Sequence, residues 1–194
     1  MYVVAGANGA GKSTLTHGAQ HEFGVEPIDA DAIQRQTGMS SAGAWSEGLR
    51  RCREAIANER TFLVETTLAG SDALRPSTYL RLMHEAKSRG YRVELLFIAL
   101  GNANAHVARV ADRVAAGLHD IPEEKIRERY ELSLERAGDA LHIADHAVLF
   151  DNSSAGVPFR PVLEFDSGKI VAEAQDIPEW ADRILLRFII GGPA

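Results

Sequence analysis

The feature that most constrains the fold is the octet Gly6-Ala7-Asn8-Gly9-Ala10-Gly11-Lys12-Ser13, which meets the pattern G-x-x-x-x-G-K-[ST] and runs on into Thr14. An apolar run, Tyr2-Val3-Val4-Ala5, precedes it, and a helical pattern over 12–21 follows. Glycines let consecutive backbone N–H groups turn inward around a phosphate. A helix that starts near Lys12 aims its positive end at the same anion. Lys12 then reaches the β- and γ-phosphates, and the Ser13 hydroxyl ligates Mg²⁺. Gly6, Gly9 and Gly11 do not make G-x-G-x-x-G, so the loop is not the dinucleotide type. All residues from Gly6 to Thr14 are nucleotide-binding candidates.

The rest of the chain repeats the strand–helix alternation. Residues 61–64, 91–100 and 147–150 read as short buried strands, and 25–29 as a weaker one whose Pro27 suits an edge. Helical patterns cover 42–58, 72–89, 103–116 and 122–141, the last opened by a capping Asp120 and Pro122. This order predicts a parallel sheet covered on both faces. After Asp151 the pattern changes to a hairpin, 158–165 and 169–174 about a Gly168 turn, and a final helix opened by Pro178 that buries Ile184, Leu185 and Phe188.

Composition narrows the classes. One domain is expected over 1–194, with a core of about 1–155 and the hairpin and helix in 156–194, because 194 residues match a single domain's length. The 45% hydrophobic content is too high for a disordered chain, and one cysteine, Cys52, cannot build a disulfide framework. Apolar runs stop far short of the roughly 18 residues a membrane span needs. The absence of an export leader pattern and the lone cysteine make the cytoplasm the expected compartment. The net charge of −6 argues against a nucleic-acid partner while leaving room for one local anion site.

Phosphoryl transfer needs cations on the moving group, Mg²⁺, and a carboxylate for the acceptor's proton. Asp29 and Asp31 flank Ala30 at a strand-to-helix junction, where either caps a helix or faces an acceptor hydroxyl. Glu65 ends a buried strand, at the crevice where parallel sheets bind ligands, and can serve Mg²⁺ through water or the acceptor itself. Arg109 and Arg113 share a helical face, and Arg127 and Arg129 follow. These arginines form an anion site or a solvated face paired to nearby acids. The pairs His17/His21 and His142/His146 lack H-E-x-x-H and read as structural.

Taken in order, several segments resemble the zeta-toxin-like group of P-loop kinases in its compact form: residues 6–14, Pro27-Ile28-Asp29-Ala30-Asp31, Leu63-Val64-Glu65-Thr66-Thr67-Leu68, Arg109 to Arg113 with Gly117-Leu118-His119-Asp120-Ile121-Pro122, and Asp151-Asn152-Ser153. The resemblance covers about residues 1–155. It implies an α/β P-loop NTPase three-layer sandwich with a parallel five-stranded core sheet and a helical lid. It implies ATP (or GTP) as donor, Mg²⁺, and a small-molecule acceptor, which in zeta toxins is a UDP-N-acetyl amino sugar. Residue by residue, it gives Lys12 and Ser13 the nucleotide and Mg²⁺ roles, Asp31 that of general base, and Arg113 that of a transition-state arginine beside Arg109. It places Glu65 and Thr66 at the acceptor, and Asn152 near the adenine edge. Zeta toxins carry a second lid arginine, and His119 stands nearest its place here. The expected activity is an ATP-dependent kinase of a hydroxyl-bearing small molecule. Alternatives are an antibiotic or nucleoside-like kinase and a nucleotide-hydrolysing switch without an acceptor. An antitoxin protein is the partner the resemblance adds.

Overall fold

A computed structural model of the chain describes residues 1–70, 77–116 and 120–191. Its strands are β1 (Tyr2–Ala5), β2 (Pro27–Ile28), β3 (Leu63–Thr66), β4 (Glu94–Ala99), β5 (His146–Asp151), β6 (Arg160–Asp166) and β7 (Lys169–Glu173). The helices are α1 (Lys12–Phe23), α2 (Ala30–Thr37), α3 (Ser41–Ala57), α4 (Thr78–Ser88), α5 (Ala103–Ala115), α6 (Glu123–Leu141) and α7 (Glu179–Gly191).

The strands form one sheet in the order β2-β3-β1-β4-β5-β6-β7. The first five are parallel, with β1 central between β3 and β4. Successive side chains of a strand point to opposite faces, so a parallel strand covered on both sides is apolar throughout. In β1, Val3 and Ala5 join the larger core cluster while Val4 joins the smaller one with Leu63 and Ile98. Leu15 and Ala19 of α1 pack on that smaller cluster, and α3, α4, α6 and α7 contribute to the larger. The fold is the expected α/β three-layer arrangement with a five-stranded parallel core.

The C-terminal hairpin does not stand apart from this core. β6 pairs antiparallel with β5 and extends the same sheet, with β7 outermost. Ser167 and Gly168 both take positive φ, 51° and 72°, the geometry that matches a two-residue turn to strand twist. In α7, Trp180 and Ile184 are buried, while Leu185 and Phe188 are half-buried against the core.

Three local expectations change. Residues 30–37 form α2, a short helix absent from the expected helical patterns, which buries only Ile33. The expected Asp120 cap is not made: Pro122 occupies the N-cap position of α6 with no side-chain cap bond. The helix expected over 72–89 is seen as α4, capped by Ser77, and residues 71–76 lie outside the described residues.

Candidate functional site

The loop between β1 and α1 leaves its backbone donors open. Among the described residues, no hydrogen bond uses the N–H of Gly9, Gly11, Lys12 or Ser13; the loop's internal bonds are Ala10 N–H to Ala7 C=O, 3.2 Å, and Thr14 N–H to Gly11 C=O, 3.1 Å. Such a row of inward N–H groups at a helix N-terminus is an anion cradle. Gly9 sits at φ +81°, and a Cβ there would lie 2.9 Å from the His106 carbonyl of α5, so the loop and that helix touch backbone to backbone.

Lys12 is buried and donates to the Ala7 carbonyl, 3.2 Å away. Burial pushes its pKa down; the carboxylates of Glu65, Asp31 and Asp29 pull it back up, and Arg113 adds a further downward push. Those four groups therefore share one electrostatic neighbourhood with Lys12. Glu65, at the end of β3, has its pKa raised by burial, with Lys12 opposing. Ser13 Oγ donates to Glu65 Oε1 at 3.1 Å, and Thr16 Oγ1 to Oε2 at 3.2 Å. Magnesium is typically held by one or two protein oxygens with phosphate oxygens and waters completing the octahedron. The Ser13 hydroxyl beside a desolvated, under-compensated carboxylate fits that donor set.

Asp29 and Asp31 are separated by the geometry of α2. Asp29 is its N-cap and accepts from the N–H groups of Asp31, 2.9 Å, and Ala32, 3.1 Å. Asp31 is exposed, and among the described residues its carboxylate makes no hydrogen bond or ion pair. Capping falls to the first acid and leaves the second facing solvent within the field of Lys12.

The lid arginines divide differently from expectation. Arg113 is exposed on α5 and, among the described residues, unpaired. Arg109, one turn earlier, donates from Nη2 to the Asn152 carbonyl at 2.6 Å and so ties α5 to the segment after β5. Asn152 is itself buried: Nδ2 donates to the Ala10 carbonyl at 2.9 Å, and Oδ1 accepts from Phe159 N–H at 3.3 Å. Its amide braces the loop rather than facing a base. Arg127 is held by Glu123 and Asn104 on the surface, whereas Arg129 reaches the loop and donates to Asn8 Oδ1 at 3.0 Å. Thr66 is buried and accepts from Leu68 N–H, shaping the turn after β3. His119 lies outside the described residues.

One residue of the site was not singled out in the sequence: His106 of α5, fully buried, with Nδ1 2.8 Å from the Asn8 carbonyl. An isolated histidine in an alanine-rich helix carries no spacing signal. Two further histidines hold the fold together. His142 stacks on Phe188, and His146 bonds both Glu94 and Glu164. Cys52 is buried, which pushes its thiol up to about 12 and leaves it unreactive at neutral pH. Among the described residues no His, Cys, Asp and Glu cluster is built to hold a metal by itself, and no helix is long and apolar enough to cross a membrane.

With the loop, its lysine and the two acids in place, comparison with known proteins decides the family. The family model described as Zeta toxin matches residues 1–157. The chain belongs to the zeta toxin family. It is 30% identical over 130 residues to an uncharacterized protein of Haemophilus influenzae, covering 64% of this chain and 88% of that one. It is 29% identical over 183 residues to a tRNA dimethylallyltransferase of Chlorobium luteolum, covering 86% of this chain but only 58% of that protein's length. Among solved structures, the PezAT chromosomal toxin–antitoxin system of Streptococcus pneumoniae superposes with a TM-score of 0.56 at 15% identity, over 98% of this chain and 78% of the other. A gluconokinase from Sinorhizobium meliloti superposes at 0.50 with 19% identity, over 97% and 90%. At these identities the structures establish the fold, which this zeta toxin family member shares with P-loop kinases.

Proposed function

We propose that the chain is a nucleoside-triphosphate-dependent phosphotransferase, using ATP or GTP to phosphorylate a hydroxyl of a small molecule. The observation that carries the proposal is Asp31, exposed and without a side-chain partner among the described residues, in the field of Lys12 and beside a loop whose Gly9, Gly11, Lys12 and Ser13 N–H groups are open among those residues. The triphosphate binds the loop from Gly6 to Thr14 with Lys12 on its terminal phosphates. Ser13, hydrogen-bonded to Glu65, would hold magnesium, which would supply charge neutralisation on the phosphate oxygens. The acceptor hydroxyl oxygen attacks the γ-phosphorus, and its proton passes to Asp31. The bond to the β–γ bridging oxygen breaks, and the diphosphate leaves with the electron pair. Arg113 closes on the charge that develops, a role that supports about 10³–10⁵ of turnover in related chemistry. Glu65 and Thr66 serve the acceptor side, and Arg109 and Asn152 hold the nucleotide side. The acceptor sits between the sheet and the α5–α6 lid.

Family membership makes a UDP-N-acetyl amino sugar the first acceptor to try, and an antitoxin protein the partner to look for in the cytoplasm. Incubation with ATP·Mg²⁺ and a metabolite panel containing UDP-sugars, read by mass spectrometry, is expected to show one acceptor gaining a single phosphate. ATP hydrolysis that no metabolite stimulates would favour a hydrolysing switch and overturn the assignment. Growth arrest on expression, relieved by a co-expressed neighbour, is the expected sign of the antitoxin.

A further inference from the structure

His106 is placed where only one protonation pattern satisfies its neighbours. The backbone N–H of Leu100, just after β4, donates to its Nε2 at 3.2 Å, so Nε2 carries no proton. The proton of the neutral ring is therefore on Nδ1, which donates to the Asn8 carbonyl at 2.8 Å. The ring also packs on Tyr130 of α6, with centroids 5.1 Å apart. Burial lowers the pKa to about 4; the bond to Asn8 opposes this, while Lys12 on α1 and Arg109 on α5 add to the lowering. The ring is thus neutral at neutral pH.

The consequence lies one peptide further on. In a trans peptide the C=O of one residue and the N–H of the next point in opposite directions. With the Asn8 carbonyl held against α5, the Gly9 N–H points away from α5, and no group among the described residues accepts from it. Arg129 holds the Asn8 side chain at the same time, so the loop tip is clasped by both lid helices. We propose that His106 is a positioning residue of the phosphate loop. By donating from Nδ1 to Asn8 it sets the Asn8–Gly9 peptide so that the Gly9 N–H is presented to the triphosphate. The proposal rests on the nucleotide-binding reading above and deepens it.

Two amide variants separate the bonds, because an Asn amide nitrogen stands near the position of a histidine Nδ1 and a Gln amide oxygen near that of Nε2. His106→Asn keeps the donor to Asn8 and loses the acceptor for Leu100, and His106→Gln does the reverse. Calorimetric titration with ATP·Mg²⁺ and with AMP, alongside thermal melting, is the test. His106→Gln is expected to lose roughly ten-fold or more in triphosphate affinity with AMP affinity unchanged, the size of one hydrogen bond to a charged group. His106→Asn is expected to stay near the parent. Equal affinities in the two variants, or equal losses for triphosphate and monophosphate, overturn the proposal. A parent protein that binds no triphosphate overturns the nucleotide-binding reading instead, and this inference with it. Nitrogen NMR of the unaltered protein gives a readout that does not depend on the variants folding. A ring protonated at Nδ1 between about pH 5.5 and 8.5 is expected, and an Nε2-protonated ring overturns the proposal.

Discussion

Replacing Asp29 and Asp31 one at a time separates two jobs at a single strand-to-helix junction. Asp29 accepts two N–H bonds at the start of α2, a helix of eight residues that buries only Ile33 and so has little packing to replace a lost cap. Its ion pair with the exposed Arg35, long at 3.9 Å, adds little. Loss of an Asp cap costs about 0.5–2 kcal/mol. At about 2–4 °C per kcal/mol for a chain of this size, Asp29→Ala is expected to lower the melting temperature by about 1–8 °C. Asp29→Asn keeps the acceptor oxygen and should melt close to the parent. Among the described residues the Asp31 carboxylate makes no bond that its replacement would break, so Asp31→Asn should change stability by less than about 0.5 kcal/mol.

Activity should run the other way. A positioned general base is worth about 10²–10⁴ in rate, so Asp31→Asn should lower phosphoryl transfer by that factor while leaving ATP affinity intact. Asp29→Asn should transfer phosphate at a rate within a few-fold of the parent. The assay pairs scanning calorimetry with mass-spectrometric detection of the phosphorylated acceptor at fixed ATP·Mg²⁺. An Asp31→Asn variant that works at the parental rate removes the base assignment. One that melts several degrees lower shows that Asp31, not Asp29, carries the local structure.

Lys12→Ala is expected to abolish tight triphosphate binding in a calorimetric titration; unchanged affinity would remove the phosphate-loop reading. Gly6→Ala should destabilise by about 2–4 kcal/mol, because Gly6 sits at φ +144° and a Cβ would lie 2.1 Å from the Ile98 carbonyl oxygen; denaturant midpoints check it. The bonds from His146 to Glu164 first and Glu94 second hold that imidazole above its ordinary pKa. Its contribution is therefore full below the unfolded value near 6.5 and is lost as pH rises through the folded one. His146→Gln should cost more stability at pH 5.5 than at pH 8.5, and a cost independent of pH contradicts this. Glu65 has a raised pKa from burial, so its charge opposes folding at neutral pH. Glu65→Gln should melt at or above the parent temperature while losing Mg²⁺-dependent activity, and a clear drop in melting temperature would count against the desolvated-carboxylate account.

How much of this was legible in the sequence depended on whether a residue's role is local. The loop, β1 and α1 were legible because the pattern from Gly6 to Ser13 couples residue type directly to backbone geometry. The parallel core followed from apolar runs that alternate with helical periodicity. α2 escaped because it is only eight residues long and carries a single large apolar residue, Ile33. The assignment of cap and base to Asp29 and Asp31 could not be settled by composition, since both are acids in equivalent local sequence; only the register of α2 makes Asp29 the cap. Asn152 was placed near the nucleotide, yet its amide is bound to Ala10, 142 residues earlier in the chain. His106 and Arg129 reach Asn8 across 98 and 121 residues, distances at which no sequence pattern operates.

Those long-range contacts bear on how the site stores its order. Arg109, Arg129, His106 and Asn152 all bind main-chain or side-chain atoms of the loop or of the segment after β5. The loop therefore takes its shape from α5, α6 and β5 without help from a ligand, and the ordering cost falls on folding rather than on binding. What stays open to a ligand is the complementary set: the N–H groups of Gly9, Gly11, Lys12 and Ser13, the exposed Arg113 and Asp31, and the buried Lys12 with the half-buried Glu65. Lys12 and Glu65 are each pushed toward their neutral forms by burial and oppose that push in one another. A triphosphate on Lys12 and a divalent cation beside Glu65 would each supply the opposite charge that desolvation has withheld. Preorganised dipoles around an electrostatically under-compensated pair are the arrangement that favours binding the two ions together over binding either alone.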